Sequence, residues 1–242
     1  MKIKLVFHTV GRVLLLEAAL MLLPLAVSLI YGESCALAFA ISAASSAAIG
    51  AALKRFCRSE SKNLYTRDGL AIVALSWIGI SLFGALPFVI SGSIPSFIDA
   101  FFETVSGFTT TGASILTDVE ALPHCLLFWR SFTHWIGGMG VLVFVMAVLP
   151  LAGGTNMYMM KAESPGPSVT RLVPKVKSTA KILYMIYIVL TIIEIFLLLF
   201  GGMPLFDSIT LSLGTAGTGG FGIKNDSIAG YSTYCQVIIT IF

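Results

Sequence analysis

The chain has 242 residues, 57% of them hydrophobic and only 11% charged, with a formal net charge of +3. Soluble domains carry about 25% charged residues, so this composition excludes a water-soluble enzyme or a nucleic-acid-binding module and indicates an all-α integral membrane protein. The four cysteines, Cys35, Cys57, Cys125 and Cys235, fall singly, without the spacing of a disulfide framework or a zinc site.

Five apolar blocks, residues 13–31, 36–53, 70–90, 125–149 and 182–201, approach the roughly 20 residues that a helix needs to cross the hydrocarbon. The first has the basic start of a signal peptide. Its apolar run exceeds the usual ~7–15 residues and no clear cleavage site follows, so it reads as a retained span. Glu17 within it lies near a cytoplasmic end, in reach of the headgroups. The second block contains ISAASSAAIGAAL, small residues that let a neighbouring helix approach closely. After the third comes PSFIDAFFETVSGF (95–108), too short to span and suited to a re-entrant helix, and it runs into TVSGFTTTGAS (104–114). The fourth block carries Arg130, His134 and the run GGMG (137–140), read as a close-packing surface or a hinge. A Gly-, Pro- and base-rich connection, 152–181, leads to the fifth, which holds Glu194. A second short segment, PLFDSITLSLG (204–214), then runs into SLGTAGTGGFG (212–222). The last apolar block begins near Tyr231 and reads as a sixth span cut short at Phe242.

Thirteen of the fifteen Lys and Arg residues fall before the first block, between the second and third, or between the fourth and fifth. By the positive-inside tendency those connections and the N-terminus are cytoplasmic. The remaining connections hold Glu33, Asp99, Glu103, Asp118, Glu120, Asp207 and Asp226 with one base, Lys224. Both Thr/Gly stretches therefore lie on outer connections.

Irregular backbone at membrane depth is tolerated only where protein covers it or where it lines a watery path. Matching Gly112 to Gly219 also matches Thr111 to Thr218 and Gly107 to Gly214, a repeat of about 107 residues; Asp99 and Asp207 then lie one residue out of register. Each unit reads as span, pore helix, loop, span. That is the layout of a cation filter, in which backbone carbonyls replace an ion's water shell and glycine lets them approach the axis. Thr110, Thr111 and Gly112 in one loop and Gly217, Thr218 and Gly219 in the other are the candidate ion-binding residues. The plainer alternative is a Gly/Thr-rich outer turn. A buried Arg in a membrane normally has a partner, and Glu103 is the candidate partner of Arg130, bracing pore helix to span. His134 reads as a packing residue, being ten residues from His124 and out of step with a shared metal site. Glu194 reads as a hydrogen-bonded structural residue or as a proton-coupling group.

The segments AFFETVSGFTTTGAS, FWRSFTHWIGGMGVLVFVMAVLPLAGG, ESPGP, LVPKVKSTAKILYMIY and GMPLFDSITLSLGTAGTGGFG resemble the Trk/Ktr superfamily of bacterial potassium transporters, from about residue 65 onward. The two spans ahead of the first repeat are similar to the TrkH/TrkG branch. The resemblance implies four span–pore–span repeats around one pore, with one key filter glycine in each, here Gly112 and Gly219. K⁺ at Thr111, Gly112, Thr218 and Gly219 is then the transported ion, with no cofactor. It also implies a homodimer in the bacterial inner membrane and a TrkA-type cytoplasmic nucleotide-binding regulatory subunit, docking on 152–181. Repeats three and four and the end of repeat two are missing, so the chain reads as an N-terminal half. Gly217 stands where the family commonly has Ser. The organisation expected is a two-helix unit at 1–66, a first repeat at 67–151, a cytoplasmic connection at 152–181 and an incomplete second repeat at 182–242. The function expected is potassium uptake, by a channel or by H⁺- or Na⁺-coupled symport. The alternatives are a two-repeat cation channel acting as a dimer and a non-conducting assembly subunit. A membrane-embedded enzyme lacks its motifs here: there is no H-E-x-x-H and no G-x-S-x-G, and the histidines number three.

Overall fold

A computed structural model describes residues 2–57, 66–140 and 176–242, with 66 and 176–181 described by their backbone. Nine helices occur among the described residues: α1 (Ile3–Leu20), α2 (Leu22–Tyr31), α3 (Ala36–Phe56), α4 (Thr66–Ile90), α5 (Phe97–Phe108), α6 (His124–Gly138), α7 (Val176–Phe200), α8 (Leu205–Ala216) and α9 (Thr233–Ile241). Four stretches among them are long and apolar enough to cross a membrane: Ile3–Tyr31, Ala36–Phe56, Arg67–Ile90 and Ile182–Phe200.

The first span is longer than the expected 13–31, because the helix already runs from Ile3 and buries Val6 and Val10 in the core. It breaks at Met21, where α1 ends and α2 begins. Pro24 is the cause: it offers no N–H to the Leu20 carbonyl one turn earlier, and its ring crowds that carbonyl. The longer helix also moves Glu17 away from a helix end. Instead of reaching headgroups, Glu17 is 3% exposed, in the interior of the bundle.

Helices α1 and α3 cross at Gly11 and Gly50, where a β-carbon on either glycine would lie under 3 Å from the other's carbonyl oxygen. The small-residue run of α3 permits this approach. Helices α5 and α8, 12 residues each, are about 18 Å long at 1.5 Å per residue and cannot span. Ser96 caps α5, its hydroxyl accepting from the Asp99 backbone N–H at 3.4 Å. Pro204 precedes α8, and Asp207 lies in its first turn, where a negative charge suits the helix dipole.

The fourth block was expected to be continuous from 125 to 149. In the structure α6 stops at Gly138, and Gly140 takes a left-handed φ of +68° that glycine alone adopts at no cost. Residues 141–149, and the expected docking connection as far as 175, lie outside the described residues.

Candidate ion filter and its support

The two Thr/Gly loops leave their short helices along the same path. In the first, the Thr109, Thr110 and Thr111 N–H groups donate to the carbonyls of Val105, Gly107 and Ser106. In the second, Gly217, Thr218 and Gly219 donate to Leu213, Thr215 and Gly214. Every equivalent pair is 108 residues apart, from 109 and 217 onward. Positive φ angles follow the same step: Thr110 at +54° with Thr218 at +52°, and Gly112 at +73° with Gly220 at +81°.

This corrects the 107-residue match. Gly112 corresponds to Gly220, not to Gly219, and Thr111 corresponds to Gly219; Gly217 corresponds to Thr109 and forms the helix cap. The double glycine at 219–220 allowed the sequence match to slip by one. The step of 108 also brings Asp99 and Asp207 into register. The one available hint was the position of those two acids.

The loops touch each other. A β-carbon on Gly112 would collide with the Gly219 carbonyl oxygen, so the closest approach is backbone to backbone. Beside the second loop lies a crevice of about 360 Å³, lined in part by Thr215, Thr218, Gly220 and Gly222. Backbone carbonyls and Thr hydroxyls offer uncharged oxygen ligands there, the kind that replace a cation's water shell.

Helix α6 sits between the two loops and presents a different stripe to each. Thr133 and Gly137, one turn apart, face α5: a β-carbon on Gly107 would strike the Thr133 hydroxyl, and one on Gly137 the Phe108 carbonyl. His134 and Gly138 face the second loop. A β-carbon on Gly219 would strike the His134 ring, and one on Gly138 would lie 2.7 Å from the Gly217 Cα. The GGMG run is thus a packing surface against both loops.

Arg130 joins the two. Its Nε donates to Glu103 Oε1 at 2.8 Å, with both side chains almost fully buried. Its Nη2 lies 3.3 Å from Ser114 Oγ, and its Nη1 donates to the Gly222 carbonyl at 3.1 Å. Glu103 in turn accepts from Ser114 Oγ at 2.9 Å and from the Ile115 N–H at 3.1 Å. One buried ion pair therefore ties α5, the exit of the first loop and the exit of the second. Phe221 completes the group, with the guanidinium carbon 4.1 Å from its ring centre and the His134 ring stacked at 4.0 Å. Two groups that close must lie on opposite faces of the ring. Gly220, Phe221 and Ser114 were not singled out from the sequence, since Gly, Phe and Ser in an apolar chain carry no signal of their own.

The loop exits meet again further along. Asn225 donates to Asp118 Oδ1 at 2.8 Å and accepts from the Val119 N–H at 2.8 Å, while its own N–H bonds to Glu120 at 3.0 Å.

The family model TrkH, described as a cation transport protein, matches residues 36–242. The chain belongs to the TrkH family. The Trk system potassium uptake protein TrkH of Salmonella typhimurium is 40% identical over 246 residues, covering 100% of this chain and 51% of the relative. The Trk system potassium uptake protein TrkG of Escherichia coli K12 is 37% identical over 239 residues, covering 98% and 49%. The crystal structure of the potassium transporter TrkH from Vibrio parahaemolyticus superposes with a TM-score of 0.84 at 32% identity, covering 100% of this chain and 49% of that one. This TrkH-family chain spans about half the length of the curated relatives it matches. Membership of a transport family sets the enzyme reading aside, and the all-α membrane fold is that of the solved TrkH.

Proposed function

We propose that the chain supplies two of the loops lining a potassium-uptake pore. Thr110, Thr111 and Gly112 act in the first loop and Thr218, Gly219 and Gly220 in the second, with K⁺ as the ion carried. The observation that carries this reading is the identical hydrogen-bonded path of two Thr/Gly loops that meet backbone to backbone beside an open crevice. The names of the relatives, potassium uptake proteins, give the ion. Glu103 and Arg130 act as the brace that holds both loops. The natural setting is a bacterial inner membrane with the N-terminus cytoplasmic, a homodimer, and a TrkA-type regulatory subunit docked on 152–181. Residues 1–66 form the leading unit, 67–151 the first repeat and 182–242 the beginning of a second.

The test is growth of cells lacking potassium uptake at low potassium, followed by rubidium uptake with sodium or potassium as competitor. The chain joined to the second half of the Salmonella typhimurium relative restores growth, whereas residues 1–242 alone do not. In the joined transporter Gly112→Ser and Gly220→Ser lower the preference for potassium over sodium. Unchanged discrimination in both removes the loops as the filter, and rescue by 1–242 alone favours a two-repeat channel acting as a dimer.

A further inference from the structure

Besides Asp68, which accepts from the Lys2 N–H at the start of its span, two carboxyl side chains lie inside the described spans with no part in the filter. Glu17 on α1 is 3% exposed and Glu194 on α7 is 1% exposed, and in each the Oε1 oxygen has no hydrogen-bond partner. Ionisable groups inside a membrane are costly to keep and usually have a role.

The spans of the two repeats have their own register. Ser91 N–H donates to the Pro87 carbonyl as Gly201 does to Leu197, and Gly92 donates to Val89 as Gly202 does to Leu199. Gly92 and Gly202 also share a left-handed φ, +75° and +82°. Each of these pairs is 110 residues apart, so Glu194 corresponds to Gly84 on α4. With the pore helices 108 apart, Thr104 corresponds to Ser212 and Phe108 to Ala216.

The exchange of volumes follows from these matches. In the first repeat the span carries glycine and the pore helix carries the bulk: a β-carbon on Gly84 would lie 2.8 Å from Thr104 Cγ2 and 3.0 Å from Phe108 Cε2. In the second repeat the pore helix carries Ser212 and Ala216, and the span carries Glu194, 1% exposed, with its carboxyl close to the Thr215 side chain on the last turn of α8. Gly84, the matching position on α4, has no side chain to do the same for α5. Instead Glu17 arrives from α1, its Oε1 3.4 Å from where a Gly84 β-carbon would be. Ser46 Oγ on α3 lies 3.2 Å from Glu17 Oε2 and fixes the carboxyl from behind. A void of about 10 Å³, about one water in size, lies beside it and is lined also by Phe108 and Ile136.

We propose that Glu17 and Glu194 are equivalent positioning residues, each wedging one carboxyl against the last turn of a pore helix. The leading helix α1 thereby supplies to the first repeat the group that the second repeat carries on its own span. This rests on the loops being the filter. It gives the two-helix leading unit a task in selectivity rather than in anchoring alone.

The test uses the joined transporter, with sodium and potassium competing against rubidium uptake, normalised to protein in the membrane, and with Gly112→Ser as control. Glu17→Ala and Glu194→Ala each lower potassium preference by about threefold to tenfold, the range of coupling through packed side chains. Glu17→Gln and Glu194→Gln, which keep shape and hydrogen bonding, stay near the unmodified protein. Glu17→Leu and Glu194→Leu are read instead for any alanine variant that fails to accumulate. Building the second-repeat layout into the first, with Glu17→Ala, Gly84→Glu, Thr104→Ser and Phe108→Ala together, regains part of the preference that Glu17→Ala loses. The inference is overturned if the alanine variants discriminate normally while Gly112→Ser does not, or if glutamine harms as much as alanine. If Gly112→Ser also leaves discrimination unchanged, the filter reading falls with it.

Discussion

The first loop has an acid on the helix that leads into it, α5, whereas the second has Leu211 at the place on α8 that matches Glu103. What holds the exit of the second loop is a base on α6, Arg130, which donates to the Gly222 carbonyl and covers Phe221. Its back wall is also borrowed, from His134 and Gly138 on the same helix. The difference teaches that the two loops are one mechanical object with α6 at its centre. Damage to the Glu103–Arg130 pair therefore reaches the second loop.

The largest effect expected is at Arg130. Arg130→Leu leaves Glu103 buried without a counter-charge, and breaking a buried pair from one side costs about 3–5 kcal/mol. Thermal unfolding of the purified chain in detergent measures it. Arg130→Lys recovers only part, because an ammonium cannot reach Glu103, Ser114 and Gly222 at once as the planar fork does. A loss below about 1 kcal/mol in the leucine variant, the level of an exposed pair, would show that the two loops do not depend on this one group.

Next in size is a contrast within the second loop. Gly219→Ala pushes a methyl into the His134 ring, and overpacking of this kind costs about 1–3 kcal/mol. Gly220→Ala costs about 1–2 kcal/mol for a different reason, the φ of +81° that an L-residue resists. Adding His134→Ala relieves the first substitution and leaves the second as it was. Stability of the two single and two double variants separates the causes, and equal relief of both would contradict the 108-residue register.

Much of this was legible in the sequence, and the losses have particular causes. The short apolar segments ending in Thr/Gly runs stand out because they are too short to span and too flexible to continue as helix. Glu103 and Arg130 are conspicuous as lone charges in apolar surroundings, and the structure pairs them. The register of the two loops was missed by one because Thr218 is followed by two glycines, and only the backbone path tells them apart. Glu17 was misread because the basic start of the chain hid how early α1 begins; its burial depends on a crossing with α3 that Gly11 and Gly50 permit. The end of α6 at Gly138 was hidden too, since GGMG followed by an apolar run looks the same whether the helix passes through it or stops.

The smallest effect expected lies at the head of α6, outside the spans, and touches both loops because both lean on that helix. The cap is not local. Glu33, from the turn between α2 and α3, accepts from the His124 backbone N–H at 2.7 Å and the Cys125 N–H at 3.0 Å, and its Oε1 lies 3.0 Å from the His124 ring. It thus satisfies N–H groups that the first turn of any helix leaves free, and its charge suits the positive end of the dipole. Burial pushes the carboxyl up, but the hydrogen bonds from Cys125 and His124 more than offset this and hold Glu33 below the ordinary carboxylate range. A depressed value in the folded state means that the stabilisation is fully present above the unfolded carboxylate's value, about 4.3. It is lost as pH falls through the lower, folded value. Acidification from pH 7 should therefore leave the thermal midpoint unaffected by this group until about pH 4 to 5 and then lower it. Glu33→Gln removes the charge while keeping one acceptor, costs about 0.5–2 kcal/mol at neutral pH as lost caps do, and flattens the acid limb. If the parent and Glu33→Gln lose stability in parallel as the pH drops, the cap contributes nothing through its charge, and α6 is held at its head by packing of His124 against Tyr31 and Phe206 alone.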